Sequence, residues 1–219
     1  MNILISFLFL GTVMAQIHPD FVSLRETCPG IILQMDYATK DNFTGSVVTG
    51  YLRAEALMAK VPAKALCRVQ KSAKKLGVAL KIFDSFRPVK AVKFFQAWAQ
   101  KPEDDQARKA LYYPTFTRRQ LFEQGFIANK SSHSRGGAVD LTLVDLESGK
   151  ELDMGSAFDF FDDLSNTESP RIGPQQLANR MLLKKLMEKE GFRNFSQEWW
   201  HYSFKPEPFP ETYFDFDVN

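Results

Sequence analysis

One apolar, strand-forming run with a carboxylate set into it constrains this chain more than any other feature. In Ala138-Val139-Asp140-Leu141-Thr142-Leu143, Val139, Leu141 and Leu143 share one face of a strand, and Asp140 shares the other with Ala138 and Thr142. Burying a lone carboxylate there is costly, so Asp140 needs a partner. A histidine precedes it by seven positions (140 − 133), in Ser131-Ser132-His133-Ser134-Arg135-Gly136-Gly137. A distant segment, Glu198-Trp199-Trp200-His201, supplies another of the chain's three histidines.

These residue types suit a catalytic zinc, which usually takes three protein ligands from His, Asp, Glu and Cys and keeps one position open for water. His133, Asp140 and His201 are the expected ligands of one zinc ion, with Glu198 beside them as the proton-transfer group. Three residues separate Glu198 from His201, a spacing that points the two to opposite faces of a regular strand. A bend or bulge at the strand's entrance is therefore predicted. Arg87, in Asp84-Ser85-Phe86-Arg87-Pro88, sits at a strand-to-helix junction and is the candidate electrophile for a developing oxyanion. Its plainer alternative is a surface pair with Asp84. Each segment alone reads more readily as structural than as catalytic. Their joint presence in so histidine-poor a chain reverses that preference, while His18 has no partner pattern and stays outside the site.

At 219 residues the chain fits one domain, or one domain plus an extension, and is long enough for a sizeable core. Its 28 basic and 26 acidic residues are scattered rather than blocked, which argues against nucleic acid as a partner. Residues 1–15 read as an export signal: Ile3 to Leu10 is apolar but too short to span a bilayer, and Val13-Met14-Ala15 offers a cleavage site. The mature domain is then 16–219, exported to the periplasm or cell envelope, with no stable membrane association after cleavage. In an oxidising compartment Cys28 and Cys67 can form a disulfide; two buried thiols are an equal alternative. Asn42-Phe43-Thr44 matches a glycosylation sequon, a pattern frequent by chance.

Periodicity predicts a strand over 31–37, a helix from Pro62 to Gly77, a strand over 78–83 and a helix from Pro88 with Val92, Phe95 and Ala99 on one face. A helical piece is expected over 116–122 and a hairpin turn at 147–150. An exposed loop is expected over 162–173. A final helix from Pro174 to about Glu190 is expected to turn Leu177, Met181, Leu182 and Leu186 inward, before a strand over 199–204.

At the motif residues the chain resembles the zinc D-alanyl-D-alanine dipeptidases of the VanX type, within the larger group of D-Ala-D-Ala metallopeptidases. The resemblance rests on Ser-x-His-x-x-Gly-x-Ala-x-Asp at Ser131 to Asp140, and on Glu-x-x-His at Glu198 to His201. It extends to Asp84–Pro88, Asn42-Phe43-Thr44-Gly45 and the Met154-Gly155…Phe158-Asp159 loop. It implies a single-domain α+β fold, with a central antiparallel sheet carrying the ligands and helices packed against it. It further implies zinc at His133, Asp140 and His201, Glu198 as general base then acid, Arg87 as transition-state stabiliser, and the free dipeptide D-Ala-D-Ala as substrate. By position in the matched loop, Asp159 is expected to meet the substrate ammonium, with Ser131 and Ser132 lining the pocket. A D,D- or L,D-carboxypeptidase acting on peptidoglycan stems, and a non-catalytic zinc-binding domain, are the competing readings.

Overall fold

The structure, a computed structural model, describes residues 17–219, so the expected export signal lies outside the described residues. Among the described residues no helix is long and apolar enough to cross a membrane.

The architecture is α+β. Its strands are β1 (Phe21–Ser23), β2 (Ile32–Leu33), β3 (Leu57–Ala59), β4 (Val78–Asp84), β5 (Ala138–Asp145), β6 (Phe192–Phe195) and β7 (Glu198–Phe204). Five form the central sheet in the order β2-β4-β5-β7-β6, antiparallel except for the parallel edge pair β2–β4. The helices are α1 (Leu24–Thr27), α2 (Lys60–Lys74), α3 (Val89–Ala99), α4 (Gln106–Tyr112), α5 (Arg118–Glu123) and α6 (Pro174–Lys189).

Two cores flank the sheet, and they differ in composition. Val139, Leu141 and Leu143 of β5 join Leu80 and Ile82 of β4, Leu66 and Val69 of α2, and Leu183 and Met187 of α6 in a largely aliphatic core. A second core is mostly aromatic: Tyr37, Phe43, Tyr51, Phe86, Phe95, Trp98, Tyr113 and Phe161 pack beneath α3, α5 and the connecting loops. Phe21, Phe43, Phe86, Phe95 and Phe161 serve this second core, where rings fill space that irregular backbone leaves. The site lies between the two, on the face of β5 opposite the aliphatic core.

Several expectations need correction. The strand expected over 31–37 is only two residues long; Asp36–Ala38 turns as a 3-10 helix and delivers Tyr37 to the aromatic core. Helix α2 starts at Lys60 rather than Pro62, which is tolerated in the first turn because an N–H there has no intrahelical partner. The 162–173 segment is only in part an exposed loop: Asp163, Glu168, Pro170, Arg171 and Gly173 are exposed, but Asp162, Ser165, Thr167 and Ser169 are buried. Leu186 of α6 is buried as expected, but Leu177 is 37% exposed and Met181 and Leu182 are half-buried, and the helix also buries Asn179, Arg180, Leu183 and Met187. Both of these last departures have one cause: α6 spends two buried polar side chains on holding the preceding loop, so its inward face is not its most apolar one.

Cys28 and Cys67 form a disulfide that joins the end of α1 to α2. The Asn42 sequon is structural in this fold. Asn42 is buried, its amide donates to the carbonyls of Asp36, Thr39 and Ser46, and its Oδ1 accepts from Thr44. Residues 213–218 strap across the back of the site. The Phe214 N–H donates to the Ser134 carbonyl at 2.8 Å, and its own carbonyl accepts from Val89 N–H at 3.1 Å.

Candidate active site

Sheet register builds the first half of the site. Asp140 on β5 lies opposite His201 on β7 and, across an irregularity after Ile82, opposite Asp84 at the end of β4. Asp84, Asp140 and His201 thus stand in a row across three neighbouring strands. His133 reaches the row from a 3-10 turn, Ser132–Arg135, that ends at Gly136 in the left-handed region (φ 70°). A Cβ at Gly136 would also stand 2.5 Å from the Phe21 ring, so glycine is required there twice over.

The predicted irregularity at the entrance of β7 is present. Asn194 of β6 pairs with Tyr202, yet the next residue, Phe195, pairs with Glu198. The Asn194 side chain spans the extra residues, donating to the carbonyls of Glu198 and His201, both at 3.1 Å. This detour brings Glu198 and His201 to the lining of one pocket.

His133, Asp140 and His201 converge. His133 Nε2 lies 3.1 Å from His201 Nδ1 and 3.3 Å from Asp140 Oδ2, and His201 Nδ1 lies 2.9 Å from Asp140 Oδ1. Metal–ligand bonds of roughly 2.0–2.1 Å in tetrahedral array separate ligand atoms by about 3.3 Å, close to these distances. Lone-pair accounting agrees. His133 Nδ1 is 2.6 Å from the Ser85 carbonyl, an acceptor, so Nδ1 carries the proton and Nε2 presents its lone pair inward. His201 Nε2 faces the hydroxyls of Ser132 (3.4 Å) and Ser203 (3.3 Å), leaving Nδ1 inward. Three acceptor atoms facing one another call for a cation, and the residues fit a divalent ion.

Charge points the same way. Asp84, Asp140, Asp159 and Glu198 gather around a single guanidinium, Arg87. Asp84 is fully buried, and burial lifts its pKa despite the opposing charges of Arg87 and His133. Burial would raise Asp140 too, but the charges and hydrogen bonds of His133 and His201 hold it well below the usual range. For Glu198, burial dominates and Asp140 adds to it, pushing the carboxyl up to about 7. No hydrogen bond or ion pair engages that carboxyl among the described residues.

Arg87 is no surface arginine. Its Nε donates to Asp84 Oδ2 at 2.8 Å, and Nη2 lies 3.4 Å from Asp140 Oδ2. The Tyr37 and Phe95 rings flank the guanidinium at 5.4 and 5.3 Å. Asp84 is itself fixed by the Tyr51 hydroxyl at 2.7 Å. The pairing of Arg87 with Asp84 therefore exists, but inside the site, where it aims the guanidinium.

Asp159 is buried and is the only non-glycine residue with positive φ (57°) among the described residues. It accepts from the Tyr37 hydroxyl at 2.8 Å, and burial pushes its pKa well up. Ser131 caps the His133 turn, accepting from His133 N–H, so its hydroxyl shapes the ligand turn as well as lining the pocket. Sequence reasoning assigned no site role to Tyr37, Ser203 or Asn194, nor to Asp84 as a buried partner. Of these only Asp84 carried a local signal, as an acid ending an apolar strand. Together these groups form the floor of a pocket of about 370 Å³ walled by Phe43, Phe95, Phe161 and Trp200.

A family model described as D-ala-D-ala dipeptidase matches residues 18–219. Relatives named D-alanyl-D-alanine dipeptidase include one from Enterococcus faecalis, 43% identical over 91% of this chain and 98% of its own length. One from Streptomyces coelicolor is 42% identical with the same coverage, and one from Escherichia coli is 32% identical over 84% of this chain and 83% of its own. On a match that spans nearly all the described residues, and with a site that suits a divalent ion, the chain belongs to the D-Ala-D-Ala dipeptidase family of M15 metallopeptidases.

Proposed function

We propose that the chain hydrolyses free D-Ala-D-Ala to two molecules of D-alanine, using one zinc ion held by His133, Asp140 and His201. One observation carries the reading: an unengaged carboxyl, Glu198, stands beside three converging ligand atoms in a pocket of dipeptide scale. When bound, the ion polarises the scissile carbonyl and acidifies the attacking water. Glu198 takes the proton from that water and passes it to the leaving amine, a role suited to a carboxyl pushed up to about 7. Arg87, oriented by Asp84, meets the negative charge that develops on the carbonyl oxygen. Asp159 receives the substrate ammonium, whose charge returns this buried acid to its carboxylate form.

We further propose that residues 1–15 export a mature domain of 16–219 to the periplasm or envelope, where wall turnover supplies the dipeptide. The disulfide suits an oxidising compartment. The test is metal analysis of the purified protein combined with turnover of D-Ala-D-Ala against a peptidoglycan stem peptide. Stoichiometric zinc and preferential cleavage of the free dipeptide are expected. Preferential cleavage of the stem peptide makes it a carboxypeptidase, and a metal-replete protein that cleaves no D-amino-acid peptide makes it a non-catalytic zinc domain.

A further inference from the structure

We propose that Arg180 is a positioning residue which pins the Asp159-bearing loop to helix α6 and, through Ser156, ties it to the strand carrying Glu198, and so sets selectivity for a substrate with a free amine. The inference rests on the reading of Asp159 as the ammonium partner.

Arg180 is fully buried in the middle of α6, with no carboxylate in ion-pair reach among the described residues. Its donors go instead to one stretch of loop. Nε donates to the Met154 carbonyl at 2.6 Å, Nη1 to the carbonyls of Asn166 (2.6 Å) and Leu164 (3.1 Å), and Nη2 to Leu164 at 3.1 Å and Ser156 Oγ at 3.4 Å. These contacts grip the loop at both ends, at 154–156 and at 164–166, with Asp159 near the middle. Burial draws the guanidinium down only to about 10, so it stays charged at neutral pH.

A directed chain of hydrogen bonds then crosses from the strand to the loop. Trp199, next to Glu198, donates its Nε1–H to Ser156 Oγ at 2.9 Å. Ser156 and Ser165 hydroxyls lie 2.9 Å apart, and Ser165 donates to the carbonyl of Phe160, the neighbour of Asp159. Because Ser165 donates to Phe160, Ser156 must donate to Ser165, and its lone pairs are then free for Trp199 and Arg180. The network is satisfied in one sense only, which favours a single loop conformation.

The loop needs such a clamp. Asp159 is held in a left-handed conformation that costs energy outside glycine, and it is buried against its own charge. Left to relax, the segment would move the carboxyl towards water. A guanidinium is the one side chain whose fixed fork serves several carbonyls at once; a lysine ammonium on the same stem reaches fewer.

The experiment compares kcat/KM for D-Ala-D-Ala with that for N-acetyl-D-Ala-D-Ala, which lacks the ammonium, in the zinc-loaded enzyme and in Arg180→Lys, Ser156→Ala and Asp159→Ala. Wild type is expected to prefer the free amine. Arg180→Lys and Ser156→Ala are expected to lower that preference about tenfold, chiefly through KM for the free dipeptide, as misplacement of a recognition group does. Ser156→Ala is the milder change and keeps the test decisive if Arg180→Lys folds poorly. A preference that Asp159→Ala abolishes but Ser156→Ala and any folded Arg180→Lys leave intact, with both substrates slowed equally, overturns the proposal for Arg180 alone. A wild type with no preference for the free amine removes the Asp159 reading, and the proposal with it.

Discussion

The two halves of the site are held by different physics. On the sheet side, Asp84, Asp140 and His201 take their places from the backbone ladder of β4, β5 and β7, and a one-residue slip would turn each away. On the loop side, Asp159 is met by a side chain, the Tyr37 hydroxyl at its carboxyl, while Arg180, Ser156 and Ser165 engage the loop on either side of it, at Met154, Ser156 and Phe160. Regular pairing suits groups that must meet one another within ångströms. A side-chain network suits a group whose task is to meet a ligand, because its shape can vary without disturbing the sheet.

If that division holds, sheet-side changes act on kcat and loop-side changes on KM. The sharpest way to break it is Glu198→Ala, expected to lower kcat on the order of 10³-fold with zinc content unchanged; general acid–base groups contribute roughly 10²–10⁴-fold. Loss of zinc in that variant would make Glu198 a ligand instead. Arg87→Met is next, expected to cost roughly 10²-fold in kcat, with Arg87→Lys rescuing little because the bond to Asp84 and the reach into the pocket need the planar fork. A pure KM effect there would move Arg87 to the binding half.

The pH profile sharpens the same point. Glu198 accepts a proton only when ionised, so kcat/KM rises with pH along an acid limb. Its carboxyl is pushed up to about 7 by burial, and a bound dication favours the carboxylate, so the limb of the zinc enzyme lies at or below 7. An acid limb above 7 would assign the base to another group.

On the loop side, Asp159→Asn keeps shape and tolerates the left-handed backbone while removing a buried acid. Because the folded pKa is raised, the unfolded state releases this proton first, and stability falls as pH climbs from about 4 through the folded value. The variant escapes that loss, so at neutral pH its Tm is expected to rise by roughly 2–4 °C, the effect of ~1 kcal/mol in a chain of this size. KM for the dipeptide rises with it. A lower Tm would show that Asp159 stabilises the loop rather than being held by it.

The smallest effect on catalysis is expected far from both halves. Replacing Cys28 and Cys67 with alanine opens a loop of 39 residues' separation and should cost about 2–4 kcal/mol of stability in denaturant titration, with kcat and KM unchanged.

The sheet half was legible because it follows from alternation. Asp140 in an apolar strand, and the odd spacing of Glu198 and His201, forced predictions of a partner and of a bulge, and both are present. The loop half was not. Nothing local marks Arg180 as inward, since helical periodicity weighs only apolar residues and so favours Leu177. The partial burial of 162–173 depends on the Leu164 and Asn166 carbonyls reaching a side chain many residues away. The Tyr37 ring suits a strand by local propensity, while its hydroxyl contact with Asp159 is a matter of tertiary placement.

The Phe214 crossbar has a consequence for biogenesis. Ser134 and Val89 are joined through a residue made 80 positions after Ser134 (214 − 134), so the turn bearing His133, already tied to Ser85 and Ser131, gains this last brace only when that later segment has been synthesised. A nascent chain thus presents the His133 turn without its final crossbar, which is set only after synthesis has passed Phe214.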